Sequence, residues 1–307
     1  MQYNIRNTRK SAYSQEVEFY NGTEWKSISQ YKKGEKVLSF FWEDNHTELL
    51  EPIEYIKMKN SNMVRLKVKG LNMSLDRQTT FIGDYRDGVY DDCRKTIFSL
   101  EQALNNNYAV FVHCRAYNSF SYPTTTTSML SADRLKVMTL SIMYGEINGL
   151  HCTLKTKNKT LKKHMVRCLK NSKIDYKSKL IDGENVFTYI LPRAKDVFCN
   201  NPLMLSDSEV HIVMDELEMG FVKNKMLCDD KEVQDFIQMV YARGGKRVII
   251  DYKAKALRKS KNGYTLIERN ASHCKSSEKI QYSFTTKGGY FVIRNNGRIF
   301  VLGDYKR

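Results

Sequence analysis

Proline is scarce in this chain, with 4 in 307 residues, and there are 2 tryptophans. So little proline excludes a collagen-like or polyproline protein and leaves chain reversal to Gly, Asn and Asp. Long apolar runs are missing too. None approaches the roughly 18 residues of a spanning helix, and the longest lie around residues 37–42 and 108–112. Residues 1–15 are polar and basic with no apolar centre, unlike a secretory signal, so a soluble protein is expected. Acid is short as well: 34 Asp and Glu against 50 Lys and Arg leave a formal net charge of +16. An excess of that size points to a polyanionic partner, nucleic acid first and an anionic membrane surface second. What remains is globular, since 41% hydrophobic and 27% charged residues exclude a largely disordered chain. The length corresponds to about two domains at roughly 150 residues each.

The 7 cysteines are odd in number and irregular in spacing, which predicts a reducing, cytoplasmic location. His113-Cys114, His151-Cys152 and His273-Cys274 are adjacent pairs. Neighbours on a strand point to opposite faces, so such pairs chelate poorly, and buried thiols are expected instead of a metal site. There is no phosphate-binding G-x-x-x-x-G-K-[ST] loop, no G-x-S-x-G and no H-E-x-x-H.

Residues 16–112 read as β structure. Alternation at 16–20, the Asn21-Gly22 turn and short runs at 37–42, 64–69 and 108–114 mark strands, with a short helix at 99–105. Residues 118–128, rich in Ser and Thr, form a connector. Helical periodicity then starts behind Ser131, with Leu135, Met138 and Ile142 in phase, and closes at Gly145. An offset of about 75 residues brings a second such helix, opened by the capping box Ser206-x-x-Glu209 and closed at Gly220. Each is followed by a basic strand, a further helix (160–171 and 231–242) and a strand (186–191 and Tyr264–Ile267). The repetition predicts a pseudo-two-fold α+β domain. Beyond Asn270 the chain is β again, with Gly288-Gly289 and Asn296-Gly297 as turns of two expected hairpins.

Residues 283–304, SFTTKGGYFVIRNNGRIFVLGD, resemble the carboxy-terminal hairpin of intein (Hint-fold) domains. Residues 17–40, VEFYNGTEWKSISQYKKGEKVLSF, resemble their amino-terminal block. The middle resembles a LAGLIDADG homing endonuclease, which in inteins sits inside the Hint domain. The resemblance implies an α+β protein. Its all-β Hint-like domain would be discontinuous, at 1–127 and 270–307, around a pseudo-two-fold αββαβ LAGLIDADG-like domain at 128–269.

The splicing residues of that family are altered here. Ala12 occupies the nucleophile's place, with Ser11 or Ser14 one or two positions away, and Arg77 stands where a T-x-x-H block has histidine. Arginine does not release a proton and cannot shuttle one. Asp304-Tyr305 replaces the terminal Asn and the acceptor, removing the amide nitrogen that cyclisation needs. Splicing is therefore expected to be lost. In the endonuclease family each motif helix ends in a carboxylate that holds Mg²⁺. Here Tyr144 precedes Gly145 and Met219 precedes Gly220. The nearest acids are Glu146 and Glu218, each one position displaced, and one position turns a helical side chain by about 100°. Asp215, Glu216 and Glu218 read as a solvated helix face. Cleavage is expected to be lost with splicing, so no cofactor is expected, Mg²⁺ entering only if nuclease activity is retained.

Charge survives. Between Lys155 and Lys179 ten Lys and Arg face one acid, Asp175. Lys155, Lys157 and Lys159 alternate, as do Lys253 and Lys255, which on strands puts each set on one side. With Lys177, Lys179, Lys223, Lys225, Arg247, Arg258 and Lys259 they make two basic β-faces expected to straddle a duplex, with Thr153, Tyr176, Tyr252 and Tyr264 as base readers. The expected protein is a monomer that binds double-stranded DNA in a bacterial or phage-infected cell. Its role would be control of transcription or replication of a mobile element or virus. An active Mg²⁺-dependent endonuclease using Glu146 is the first alternative. A module docking a protein partner such as a polymerase is the second.

Overall fold

The computed structural model describes residues 13–44, 46–59, 63–68, 71–85, 94–105, 110–113, 130–200, 202–260, 264–267 and 272–303. Ser11, Ala12, the 118–128 connector, Asp304 and Tyr305 lie outside the described residues. The chain divides into two compact units, one formed by Met1–Ser121 with Lys261–Arg307, the other by Tyr122–Ser260. No helix among the described residues is long and apolar enough to cross a membrane.

The first unit is built on a ten-stranded sheet. Its central strand, Gly289–Asn295, is buried on both faces, as its unbroken apolar run requires. It pairs antiparallel with Arg298–Gly303 on one side, and with Glu18–Tyr20 and Val37–Phe41 on the other. The turn between Gly289–Asn295 and Arg298–Gly303 has Asn296 at φ 48° and Gly297 at φ 70°, the pair of positive values that fits a strand twist in a two-residue hairpin. Only one of the two expected terminal hairpins forms. Ile280–Thr285 pairs instead with Glu54–Lys59, in a separate sheet, because Phe284 packs edge-on against both Phe19 (5.3 Å) and Phe291 (5.2 Å). Met63–Val68 lies between Leu71–Asp76 and Ser272–Lys275. The core joins these layers through Tyr13, Phe19, Leu75, Phe81, Phe284, Phe291 and Phe300.

Tyr264–Ile267, expected to complete the second repeat, belongs to this unit and pairs with Val110–His113. In the second repeat its place is taken by Val248–Asp251 and Ala256–Lys259, a hairpin closed by Asp251, whose Oδ1 accepts from the Ala254 N–H at 3.0 Å.

The second unit contains the repeat. Ala132–Tyr144 begins where Ser131 accepts from the Arg134 N–H, and Asp207–Leu217 begins with the full Ser206/Glu209 capping box. The first half continues with strands Gly145–Asn148 and His151–Thr156, helix Lys159–Asn171 and strands Tyr176–Ile181 and Glu184–Ile190. The second half continues with strand Lys225–Leu227, helix Lys231–Arg243 and the Val248–Asp251 hairpin. In both sheets the last strand of the half lies in the interior: the order is Gly145–Asn148, His151–Thr156, Glu184–Ile190, Tyr176–Ile181 in the four-stranded one, and Lys225–Leu227, Ala256–Lys259, Val248–Asp251 in the three-stranded one. The two capped helices pack at their closing ends. A Cβ on Gly220 would stand 3.0 Å from the Met143 sulfur, and one on Gly145 would stand 2.5 Å from Cys152 Sγ and 2.7 Å from the Ser141 carbonyl. At Gly145 the approach of a backbone carbonyl therefore leaves no room for a side chain, while at Gly220 the near atoms are the flexible ends of Met143 and Met226.

Candidate nucleic-acid interface

In the four-stranded sheet of the second unit, Cys152, Leu154, Phe187 and Tyr189 point into the core and their neighbours point to solvent. The register fixes what the outward face carries. Glu146, Thr153, Thr188 and Lys177 form one cross-strand row, and Lys155, Val186 and Lys179 form the next. Lys177 and Lys179 are exposed, with no ion pair among the described residues. They stand two residues apart on one strand, about 6.8 Å, or roughly two base-pair rises of 3.4 Å. Lys155, in the middle of the sheet, is held by Glu146 at 3.2 Å.

The expected alternation of Lys155, Lys157 and Lys159 does not occur on one strand. The strand ends at Thr156 because Asn158 caps the next helix, its Oδ1 accepting from the N–H of Thr160 (2.9 Å) and Leu161 (3.2 Å). Lys157 lies in the intervening loop, 3.7 Å from Glu184, and Lys159 is the first helical residue. Lys253 and Lys255 are likewise on the hairpin turn, Lys255 at φ 44°, and so share no strand face.

The second sheet is less basic outward. Lys225, Arg258 and Ile249 make one row, and Arg258 Nε donates to Asp251 at 3.0 Å. Backbone donation from Ala254, with Arg258 beside it, holds the Asp251 carboxyl below its usual range. Lys223 is exposed in a turn at φ 50°. Arg247 is 8% exposed, so it is withdrawn from any solvent face. Of the expected base readers, Thr153 is on the first outward face. Tyr176 packs against the core, Tyr252 lies on the turn, and Tyr264 lies in the other unit.

The two candidate catalytic acids are each engaged by a cation. The Glu146 side chain is 76% exposed and bonded to Lys155. Glu218 accepts from Tyr241 at 2.8 Å and from Lys259. Burial opposes its ionisation, but those hydrogen bonds and the Lys259 charge outweigh burial and hold the carboxyl below its usual range. Lys259 also lies over the Phe221 ring at 4.4 Å, so it is committed locally. Where the motif helices end, Met143 and Met226 crowd Gly220. Among the described residues no group of three His, Cys, Asp or Glu is placed to hold a metal. Glu146 and Glu218 are thus each paired with a lysine.

Glu216 departs from expectation in the other direction. It is buried and accepts from His164 Nε2 at 2.7 Å, while Arg167 donates to His164 Nδ1 at 2.9 Å. No sequence signal finds this contact, since its partners lie 52 positions apart. At the positions matching the splicing block, Ser74 is buried and Arg77 is exposed at the end of Leu71–Asp76. Ser14 is fully buried, its N–H donating to the Ser74 carbonyl.

No family model matches the chain, and no curated protein matches it. Among solved structures it is similar to a splice-inactive, GSH-linked variant of the AceL NrdHF class 3 split intein, at 7% identity and a TM-score of 0.38 over 96% of this chain and 99% of that one. It is also similar to the LAGLIDADG homing endonuclease I-DmoI in complex with DNA and Mn, at 12% identity and a TM-score of 0.30, over 42% of this chain and 91% of that one. Both similarities are slight in score and in identity.

Proposed function

We propose that this is a double-stranded-DNA-binding protein whose Tyr122–Ser260 unit grips phosphates through the outward face of its four-stranded sheet. One observation carries the reading: strand register puts Lys155, Lys177 and Lys179 on the same side, separated by small or uncharged residues. Lys223, Lys253 and Lys255, on turns in the second half of the unit, add charge, and a chain of net charge +16 attracts a duplex at long range. Lysines on a flat sheet position a backbone, while Thr153 and Thr188 between them are short enough to meet base edges.

The same reading holds that the protein recognises DNA without cutting or splicing it. The salt-bridged state of Glu146 and Glu218 and the arginine at position 77 support this. Recognition without scission suits control of transcription or replication. The test is anisotropy of a fluorescent mixed-sequence duplex titrated across salt. Each phosphate that no longer meets a lysine should flatten the log–log slope by about 0.9, so Lys177→Gln with Lys179→Gln should flatten it by roughly 1.8. Absence of binding at low salt, or an unchanged slope in that variant, overturns the reading. Mg²⁺-dependent nicking of a plasmid, abolished by Glu146→Gln, would restore the endonuclease.

A further inference from the structure

Helix Lys159–Asn171 is two-sided. Leu161, Met165, Cys168 and Leu169 are buried with Cys152, Leu154, Phe187 and Tyr189 of the sheet. Its other side exposes Lys159, Lys162, Lys163, Arg167 and Lys170. Residues 147–174 contain no Asp or Glu, and none of those four lysines has an ion pair among the described residues. The row runs from Lys159 to Lys170, about 16 Å at 1.5 Å per residue, or roughly five base-pair rises of 3.4 Å. The helix's own electrostatics disfavour the arrangement: a first turn without acid and with Lys159 leading it opposes the macrodipole.

The internal repeat supplies the comparison. Lys231–Arg243 holds the same place in the second half. It has Glu232 in its first turn, buries its residues from Val233 to Arg243 except Asp235, and exposes only Lys231 and Glu232 at its start. The fold therefore does not require a cationic helix surface at this place.

Because the helix packs on the core side of the sheet, its lysines and the outward sheet face point in opposite directions. They are at least a helix diameter apart, about 10–12 Å, so a duplex lying on the sheet does not reach them. We propose that this helix side is a second, independent DNA site, and that one molecule bridges two duplex segments; the inference rests on the sheet face being the first site. A cationic row without an acid, whose one apolar member, Val166, is half-buried against the core, fits a uniformly charged rod better than a protein surface, whose interface would have an apolar centre. A lipid surface would ask the helix for exposed large apolar side chains, and here that side is in the core.

The experiment loads the full-length protein onto a bead-tethered duplex, washes it, and measures capture of a second, fluorescent duplex. Light scattering confirms that the protein stays monomeric. Wild type should capture the second duplex. Lys162→Gln with Lys163→Gln and Lys170→Gln, which preserves helix propensity, should still bind the first duplex but lower capture about tenfold. Retention on the first duplex without capture of a second overturns the bridging proposal alone, as does full capture by the triple variant. Failure to bind the first duplex overturns both readings. Binding of phosphatidylserine vesicles by wild type and not by the triple variant, with no second duplex captured, reassigns the helix to lipid and overturns the duplex.

Discussion

Arg294 is fully buried and has its charge answered in two ways. Nε and Nη2 donate to Glu18 at 2.6 and 3.0 Å, and the guanidinium lies over Trp25 at 4.7 Å. Removing one partner of such a pair leaves an uncompensated charge, at a cost of about 3–5 kcal/mol. Arg294→Met and Glu18→Gln should each lower the stability of the first unit, Glu18→Gln by about 3 kcal/mol, measured by urea denaturation. Glu218 gives a pH signature. Its folded carboxyl ionises below the unfolded value near ~4.3. The stabilisation is therefore present above that value and is lost as pH falls through the lower, folded one. The difference in Tm between wild type and Glu218→Gln should be open at pH ~7 and narrow progressively as the pH falls below ~4; a constant difference would contradict the assigned bonds. The acids are the least legible residues in the sequence. Glu216 and Glu218 both read as solvated helix surface, yet His164, Tyr241 and Lys259 reach them from other elements. Pairings between distant positions leave no periodic trace.

Helices are legible because their signals are local. Ser131 and Ser206 open them, and Gly145 and Gly220 close them, Gly145 where Cys152 and the Ser141 carbonyl stand too near for a side chain. Gly145→Ala should destabilise by about 1–3 kcal/mol, as overpacking does. Adding Cys152→Ala should recover only part, because the Ser141 carbonyl also stands in the way. Thermal melts of the two variants decide it, and full recovery would place the obstruction at the thiol alone. Strands are harder to read. Period two in lysines suggests one strand face at 155–159, yet the capping side chain of Asn158 starts a helix there. Partner choice is not visible either. Ile280–Thr285 and Tyr264–Ile267 are recognisably extended, but what they pair with is decided by aromatic packing and by segments far away in sequence.

At the scale of the molecule, the excess of basic residues sets the net charge, but position within the fold decides what each lysine does. Lys177 and Lys179 look outward from the sheet, Lys259 is turned to Glu218, and Lys162, Lys163 and Lys170 look away on a helix. In the first unit, Val110–His113 and Tyr264–Ile267 are adjacent antiparallel strands with His113 directly opposite Tyr264, the spacing of a tight turn. A two-residue turn is therefore long enough to join His113 to Tyr264 in place of residues 114–263. Excising them and splicing in Asn-Gly should yield a shortened polypeptide that still melts cooperatively; a molten product would mean the sheet depends on what was removed. The same seam would accept a foreign domain with closely spaced termini, making this protein a natural carrier for grafted cargo.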